Sequence, residues 1–234
     1  MPVKSRFDER TIRIMLARIK EQVPPHHFEF HDPFWVLITT VLSHRTKDEI
    51  TDSSARSLYN AYGTVEGLAS ASTKDIELHI KRVGFYRVKA ERVKEISKII
   101  LEKYSGKVPD NIDDLTKLPG VGRKTANVVL SDALRIPAIA VDTHVQRISR
   151  RIGWSRHDDP ERTEESLRKT IPKDMWIGFN PMIVEFGKKI CRPRNPLCSE
   201  CSVSEYCDYF QKAQSKKMKT SKLTAGITKN KYIT

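Results

Sequence analysis

The stretch LTKLPGVGRKTANVVLS, residues 115–131, sets a short helix before Pro119-Gly120-Val121-Gly122 and an amphipathic helix after it. Gly120 and Gly122 have no Cβ, so they are able to take positive φ and leave the backbone of the turn unshielded. Amides near them, ahead of a helix N-terminus, can then approach a phosphate oxygen closely. Leu118, Val121, Val128 and Val129 supply apolar faces that lock the two helices together. A plain helix-turn-helix connector would explain the glycines alone. Arg123 and Lys124 follow at once, in a chain of net charge +13, and this favours phosphate binding by Gly120, Val121, Gly122 and Arg123. Contacts of that kind fix register on a duplex and carry no base information.

Outward from this hairpin the pattern stays helical. Ile12, Met15, Leu16, Ile19 and Val23 recur at three- and four-residue spacing, which predicts an amphipathic helix over 10–23. Residues 33–43 open on Pro33, which suits a first helical turn, and are apolar on most sides, as a helix buried in a core would be. Further helices are expected near 47–61, 74–81, 87–104, 111–117, 123–134, 142–152, 160–170 and 176–190, with turn signals such as Tyr62-Gly63, Val83-Gly84 and Ser105-Gly106 separating them. No segment sustains period-two alternation, so the fold class is all-α. Ile136-Pro137 is the expected crossing point between two helical lobes.

Charge and composition narrow the partners. No apolar run approaches the roughly 18 residues that span a bilayer. The opening MPVKSRFDER is charged where a signal peptide needs apolar residues. A cytoplasmic, nucleoid-associated monomer without membrane contact is therefore expected. Residues 211–234 hold seven lysines and no acid and read as a mobile basic arm. A basic body with a basic arm suits a polyanion, because each neutralised phosphate releases counterions.

Two residues next to the hairpin carry chemistry. Lys124 falls in the first turn of its helix, where the helix N-terminus and Arg123 both disfavour a protonated ammonium. Only the free amine is a nucleophile. Asp142 emerges from the apolar run 138–141 and begins the next helix in VDTHVQRISRR. It reads as an ordinary N-cap and also as a candidate catalytic carboxylate, and one residue is able to do both.

All four cysteines lie within residues 191–207, spaced Cys191-x6-Cys198-x2-Cys201-x5-Cys207. One compact metal or cluster site explains that crowding better than disulfides do. Four thiolates suit tetrahedral zinc or an iron–sulfur cluster, and only one short Cys-x2-Cys pair is present. Arg192 and Arg194 lie between the first two cysteines, either as phosphate ligands on a pinned loop or as two solvated arginines.

LPGVGRKTANVVL, followed by VDTH and then by this cysteine spacing, resembles the endonuclease III branch of the helix-hairpin-helix DNA glycosylases. The resemblance runs from about residue 8 to 208 and takes in FWVLITTVLSHRTKDE at 34–49 and IKRVGFYRVKAERV at 80–93. It implies a base-excision repair enzyme on double-stranded DNA, with Lys124 as nucleophile and Asp142 as the paired carboxylate. The damaged nucleotide would be flipped from the stack into a pocket between two lobes. The implied chemistry is base release through a lysine Schiff base, then β-elimination at the abasic site. His144 would support DNA binding, and Cys191, Cys198, Cys201 and Cys207 would hold a structural [4Fe–4S] cluster. The implied architecture is a six-helix barrel lobe over 26–136 with the hairpin at about 111–134, and a cluster lobe of 1–25 plus 137–210.

Some positions depart from the family. In bacterial members, side chains from two loops fill the gap left by the flipped nucleotide, and glutamine and leucine stand where this chain has Arg45 and Phe85. Arg45 would fill the gap and bond the unpaired opposite base. Phe85 is either an apolar wedge or a core aromatic beside Val83 and Tyr86. Thr116 replaces a glutamate. The expected substrates are oxidised or saturated pyrimidines such as thymine glycol. The competing readings are a mismatch glycosylase acting on thymine or uracil, a catalytically silent DNA-binding module and a zinc-stabilised regulator.

Overall fold

Seven helix starts are written into the sequence as short polar side chains that accept from the exposed first-turn amides. Asp8 Oδ1 accepts from Thr11 N at 2.8 Å, and Asp32 Oδ1 from Phe34 N and Trp35 N at 3.0 and 3.1 Å with Pro33 next in line. Thr64, Ser72, Asn111, Asp142 and Asp159 do the same for their helices. The computed structural model describes residues 6–24 and 29–215. Its helices are α1 (Glu9–Gln22), α2 (Pro33–Ser43), α3 (Asp48–Tyr62), α4 (Val65–Ser70), α5 (Thr73–Ile80), α6 (Tyr86–Tyr104), α7 (Ile112–Leu115), α8 (Arg123–Val128), α9 (Thr143–Ile152), α10 (Pro160–Thr170), α11 (Phe179–Lys189) and α12 (208–215). Among the described residues there is no strand, and no helix is long and apolar enough to cross a membrane.

The chain divides into two compact units. One comprises Met1–His26, Val141–Pro172 and Pro181–Thr234, the other His27–Ala140 and Lys173–Asn180. The division thus falls a few residues after the expected 136/137 crossing, and residues 173–180 leave the expected cluster lobe. Hydrogen bonds explain that regrouping: Ser131 Oγ donates to Trp176 O at 3.5 Å, and Asn180 Nδ2 to Ala140 O at 3.1 Å.

In the unit of residues 27–140 and 173–180, α2 is buried on nearly every side, from Phe34 to Leu42. Around it close Leu58, Leu68, Ile76, Ile80, Val93, Ile96 and Ile100, with Leu115, Leu118 and Val121 of the hairpin. Each such side chain contributes roughly 1.5–3 kcal/mol on leaving water. Trp35 anchors one end: its ring meets Phe30 and Tyr59, and its indole N–H donates to Gly63 O at 3.0 Å. Helix α8 does not run to 134 as an α-helix; Val129–Ala133 form a π turn closed by Leu134 N on Val129 O at 3.0 Å. Extra turns of this kind recur near functional sites.

In the other unit, α1 buries Ile12, Met15, Leu16 and Ile19, and α9 buries Val145, Ile148 and Ile152. Gly153 ends α9 at φ +100°, donating to Ser149 O at 3.0 Å. Residues 211–215, expected to open the mobile arm, belong to α12: Gln211 N donates to Cys207 O at 3.0 Å and Gln211 Nε2 to Glu205 O at 3.0 Å. The rest of that arm lies outside the described residues.

Candidate active site

The hairpin turn spends its left-handed residue on Gly120, at φ +75°. That conformation favours glycine; a Cβ there would lie 2.7 Å from Arg92 Cδ, and the flexible Arg92 side chain would have to move aside. Gly122 differs from the expectation. It is extended, at φ −90° and ψ 175°, and a Cβ would meet nothing within 4 Å. Its use lies in what it leaves bare, since α8 begins at Gly122 with no side chain capping its first-turn amides. Val121 N donates to Leu118 O at 3.1 Å, and both side chains are buried, which sets the angle of the turn. Arg123 is exposed and Lys124 half-buried, so the charged pair flanks an uncapped helix start.

Beside Lys124 stands a residue the sequence reading passed over. His44 Nε2 lies 3.1 Å from Thr125 Oγ1 in the first turn of α8. Burial, then Lys124, Lys89 and Arg92, push the His44 pKa from 6.5 down to about 4, so its imidazole is neutral at neutral pH. His44 follows the apolar run of α2 directly, and the signal for it was an aromatic base at the end of a buried helix.

Arg45 and Phe85 are brought together. Both sit in the left-handed region, at φ 54° and 56°, which costs a residue with a Cβ about 1 kcal/mol. The Arg45 guanidinium carbon lies 5.7 Å from the centre of the Phe85 ring. Phe85 is 63% exposed, which overturns the reading as a core aromatic. Val88, one helical turn on, is also exposed, as are the cations Lys81, Arg82 and Arg87 of the flanking sequence. Thr116 is exposed and turns back onto its own helix, donating to Ile112 O at 2.9 Å.

Asp142 caps α9: Oδ1 accepts from Val145 N at 2.8 Å. A carboxylate has a second oxygen, so the cap fixes the group without exhausting it. His144 packs against α11, where a Cβ on Gly187 would lie 2.4 Å from its Nδ1. That Nδ1 also lies 3.2 Å from Arg147 Nη2, which reaches Cys191 O at 3.0 Å. His144, on the helix after Asp142, is thus tied to α11 and, through Arg147, to the first cysteine.

Cys191, Cys198, Cys201 and Cys207 line one cavity, with Phe186, Leu197 and Val203 among its walls. Burial and then the neighbouring cysteines raise Cys207, and burial foremost takes Cys201 to about 11, with Cys207, Cys191 and Cys198 adding. Four soft donors crowded in an apolar wall need a cationic centre to exist as thiolates, and they fit an iron–sulfur cluster. Arg151 Nη1 lies 3.3 Å from Cys191 Sγ and donates to Arg192 O at 2.6 Å; its Nη2 donates to Pro193 O at 2.9 Å. This holds the 192–194 loop from below and leaves Arg192 and Arg194 exposed. Arg147 and Arg151 were legible only as basic residues of an amphipathic helix.

The chain is similar to known proteins over most of its length. Residues 38–173 match the HhH-GPD superfamily base excision DNA repair protein family, and residues 191–207 the iron-sulfur binding domain of endonuclease III. Endonuclease III of Thermotoga maritima is 52% identical over 198 residues, covering 84% of this chain and 92% of that one. An endonuclease III solved as a trapped covalent intermediate with DNA superimposes with a TM-score of 0.79 at 38% identity, over 89% of this chain and 99% of that one. A thermostable thymine-DNA glycosylase superimposes with a TM-score of 0.76 at 25% identity, over 87% and 98%. The chain belongs to the HhH-GPD superfamily of base excision DNA repair proteins, in its endonuclease III branch.

Proposed function

We propose that this protein removes oxidised or ring-saturated pyrimidines, thymine glycol among them, from double-stranded DNA. As a member of the endonuclease III family it is a DNA glycosylase with abasic-site lyase activity, and it carries an iron–sulfur cluster. The observation that carries the reading is Lys124 in the first turn of α8, directly after the uncapped glycine turn. A backbone that grips a phosphate there sets the register of the flipped nucleotide against the lysine.

In this reading the Lys124 amine attacks C1′, and the glycosidic electron pair leaves with the base, which takes up a proton. Nitrogen loses its proton as the sugar ring opens, giving a Schiff base. Removal of a C2′ proton then expels the 3′ phosphate, and water hydrolyses the imine to free the lysine. Asp142 stabilises the positive charge developing at C1′ and moves protons, its position fixed by the cap on α9. Arg45 and Phe85 hold the gap in the duplex, and Gly120, Val121, Gly122, Arg123, Arg192 and Arg194 grip the backbone. His144 supports DNA binding from the first turn of α9, seated against α11 and beside Arg147. The cluster, once bound by Cys191, Cys198, Cys201 and Cys207, is a structural staple for the arginine-bearing loop. The protein works as a monomer in the compartment that holds the DNA.

Thymine or uracil opposite guanine is the second reading, supported by the likeness to a thymine-DNA glycosylase. Single-turnover excision from matched duplexes separates the two. We expect thymine glycol to be released at least tenfold faster than thymine or uracil from a mismatch. The opposite order would replace the first reading with the second.

A further inference from the structure

One buried lysine has no part in the chemistry above. Lys89 lies in the first turn of α6 and is 3% exposed. Its ammonium donates to three neutral oxygens, all in the segment around Arg45: Leu42 O at 2.7 Å, His44 O, and Thr46 Oγ1 at 3.2 Å. Burying a lysine costs several kcal/mol unless its donors are met, so this placement needs a reason. Burial, with Arg92 adding, lowers its pKa to about 8, and it still carries its charge for the most part at neutral pH.

The same segment is bound from the opposite side. Gly84 N donates to Thr46 Oγ1 at 3.2 Å, and a Cβ on Gly84 would lie 2.7 Å from Arg45 O. Thr46 Oγ1 therefore receives both Lys89 and the amide that precedes Phe85. The carbonyl before Arg45 is held by Lys89, and the carbonyl of Arg45 itself rests against Gly84. Two turns 40 residues apart in the chain (Arg45 to Phe85) are fastened at one point, and each presents one left-handed residue. Without such a fastening both residues would relax from positive φ, since nothing in an isolated turn offsets the strain.

We propose that Lys89 is a positioning residue that fastens the turns carrying Arg45 and Phe85 into one rigid reading head, so that the two side chains enter the duplex as a pair. The inference rests on the reading of Arg45 and Phe85 as gap-filling residues. It explains why an arginine is tolerated at the position: stacked on Phe85, its guanidinium is aimed before it meets DNA and loses little side-chain freedom on entry. It also assigns Gly84 a use, as the residue that lets the two turns touch.

The test uses the intact protein and a duplex with 2-aminopurine opposite a stable abasic-site analogue, whose fluorescence responds to side chains entering the gap. Wild type, Lys89→Met and Gly84→Ala are compared at saturating protein, each checked for wild-type far-UV circular dichroism. We expect a fluorescence change on binding by wild type that falls at least threefold in both variants. On thymine glycol duplexes the KM of both should rise about tenfold with kcat within about threefold, and rates with the four opposite bases should converge. Lys89→Arg, which keeps charge and donors, should recover part of the fluorescence change. A wild-type signal preserved in Lys89→Met and Gly84→Ala overturns the inference and leaves the gap-filling reading standing. No signal from wild type overturns the gap-filling reading, and the inference with it. If Lys89→Met does not fold, Gly84→Ala decides alone.

Discussion

The turn at 118–122 and the paired turns at 43–47 and 83–86 solve different problems with the same backbone conformation. In the first, the left-handed residue is Gly120, with φ +75° and no side chain to place. In the second, it is Arg45 and Phe85, which bear the strain with large side chains attached. A turn that grips phosphate offers backbone amides, so a side chain is an obstruction. A turn that reads or fills a duplex offers side chains, so glycine would defeat its purpose. The strain then has to be held from elsewhere, and Lys89, at 3% exposure, lies under it.

The contrast is broken most easily by exchanging the conformational roles. Phe85→Gly relieves a strained position and loses little burial, so its stability should match or exceed wild type by up to about 1 kcal/mol. Excision from duplex should nonetheless fall by about tenfold or more, the scale set by a wedge that holds a step unstacked. Denaturant unfolding and single-turnover rates measure the two effects, and a parallel loss of both would dissolve the contrast. Gly120→Ala should do the reverse. It forces a Cβ into φ +75° and toward Arg92 Cδ at 2.7 Å, costing about 1–2 kcal/mol of stability. DNA affinity should weaken alike for damaged and undamaged duplex.

His44, which joins the 43–47 turn to the first turn of α8 through Thr125, gives a prediction in pH. Its folded pKa of about 4 lies below the unfolded 6.5. In that interval the unfolded chain holds a proton that the native one lacks, so stability rises with pH from about 4 to 6.5 and is flat above. The full shift corresponds to about 3 kcal/mol, and partial exposure reduces it to about 2 kcal/mol. Comparing unfolding at pH 7 and pH 4, His44→Ala should lose about 2 kcal/mol less than wild type. Equal losses would mean the imidazole is not shielded. The smallest effect belongs to Gly122→Ala, where the added Cβ meets nothing within 4 Å. Stability should stay within about 0.5 kcal/mol, while DNA binding weakens severalfold if a phosphate approaches there. Unchanged binding would confine the phosphate contact to Gly120.

Most helices were legible because apolar spacing and capping residues agree, as in Asp32-Pro33 before α2. Two were not. Helix α4 is six residues with Gly67 in its middle, and a Cβ there would meet Tyr62 O at 2.2 Å, so packing forced a helix-weakening residue into place. Helix α12 was hidden by the basic, apolar-poor sequence that follows it. Of the proposed site residues, Lys124 and Asp142 lie at the helix starts where the sequence placed them. Phe85 was ambiguous because exposure is not written in a single aromatic. Lys89 carried a signal that charge obscured: it lies on the inward stripe with Val93, Ile96 and Ile100, where a lysine has to find acceptors.

The proposed mechanism depends on Lys124 as the nucleophile. Borohydride reduction during turnover, on a duplex with one thymine glycol, freezes a lysine Schiff base as a covalent protein–DNA adduct. An adduct is expected with wild type and none with Lys124→Ala at matched DNA binding. An adduct of wild-type yield in Lys124→Ala, or none in wild type that binds the duplex tightly, would contradict that mechanism.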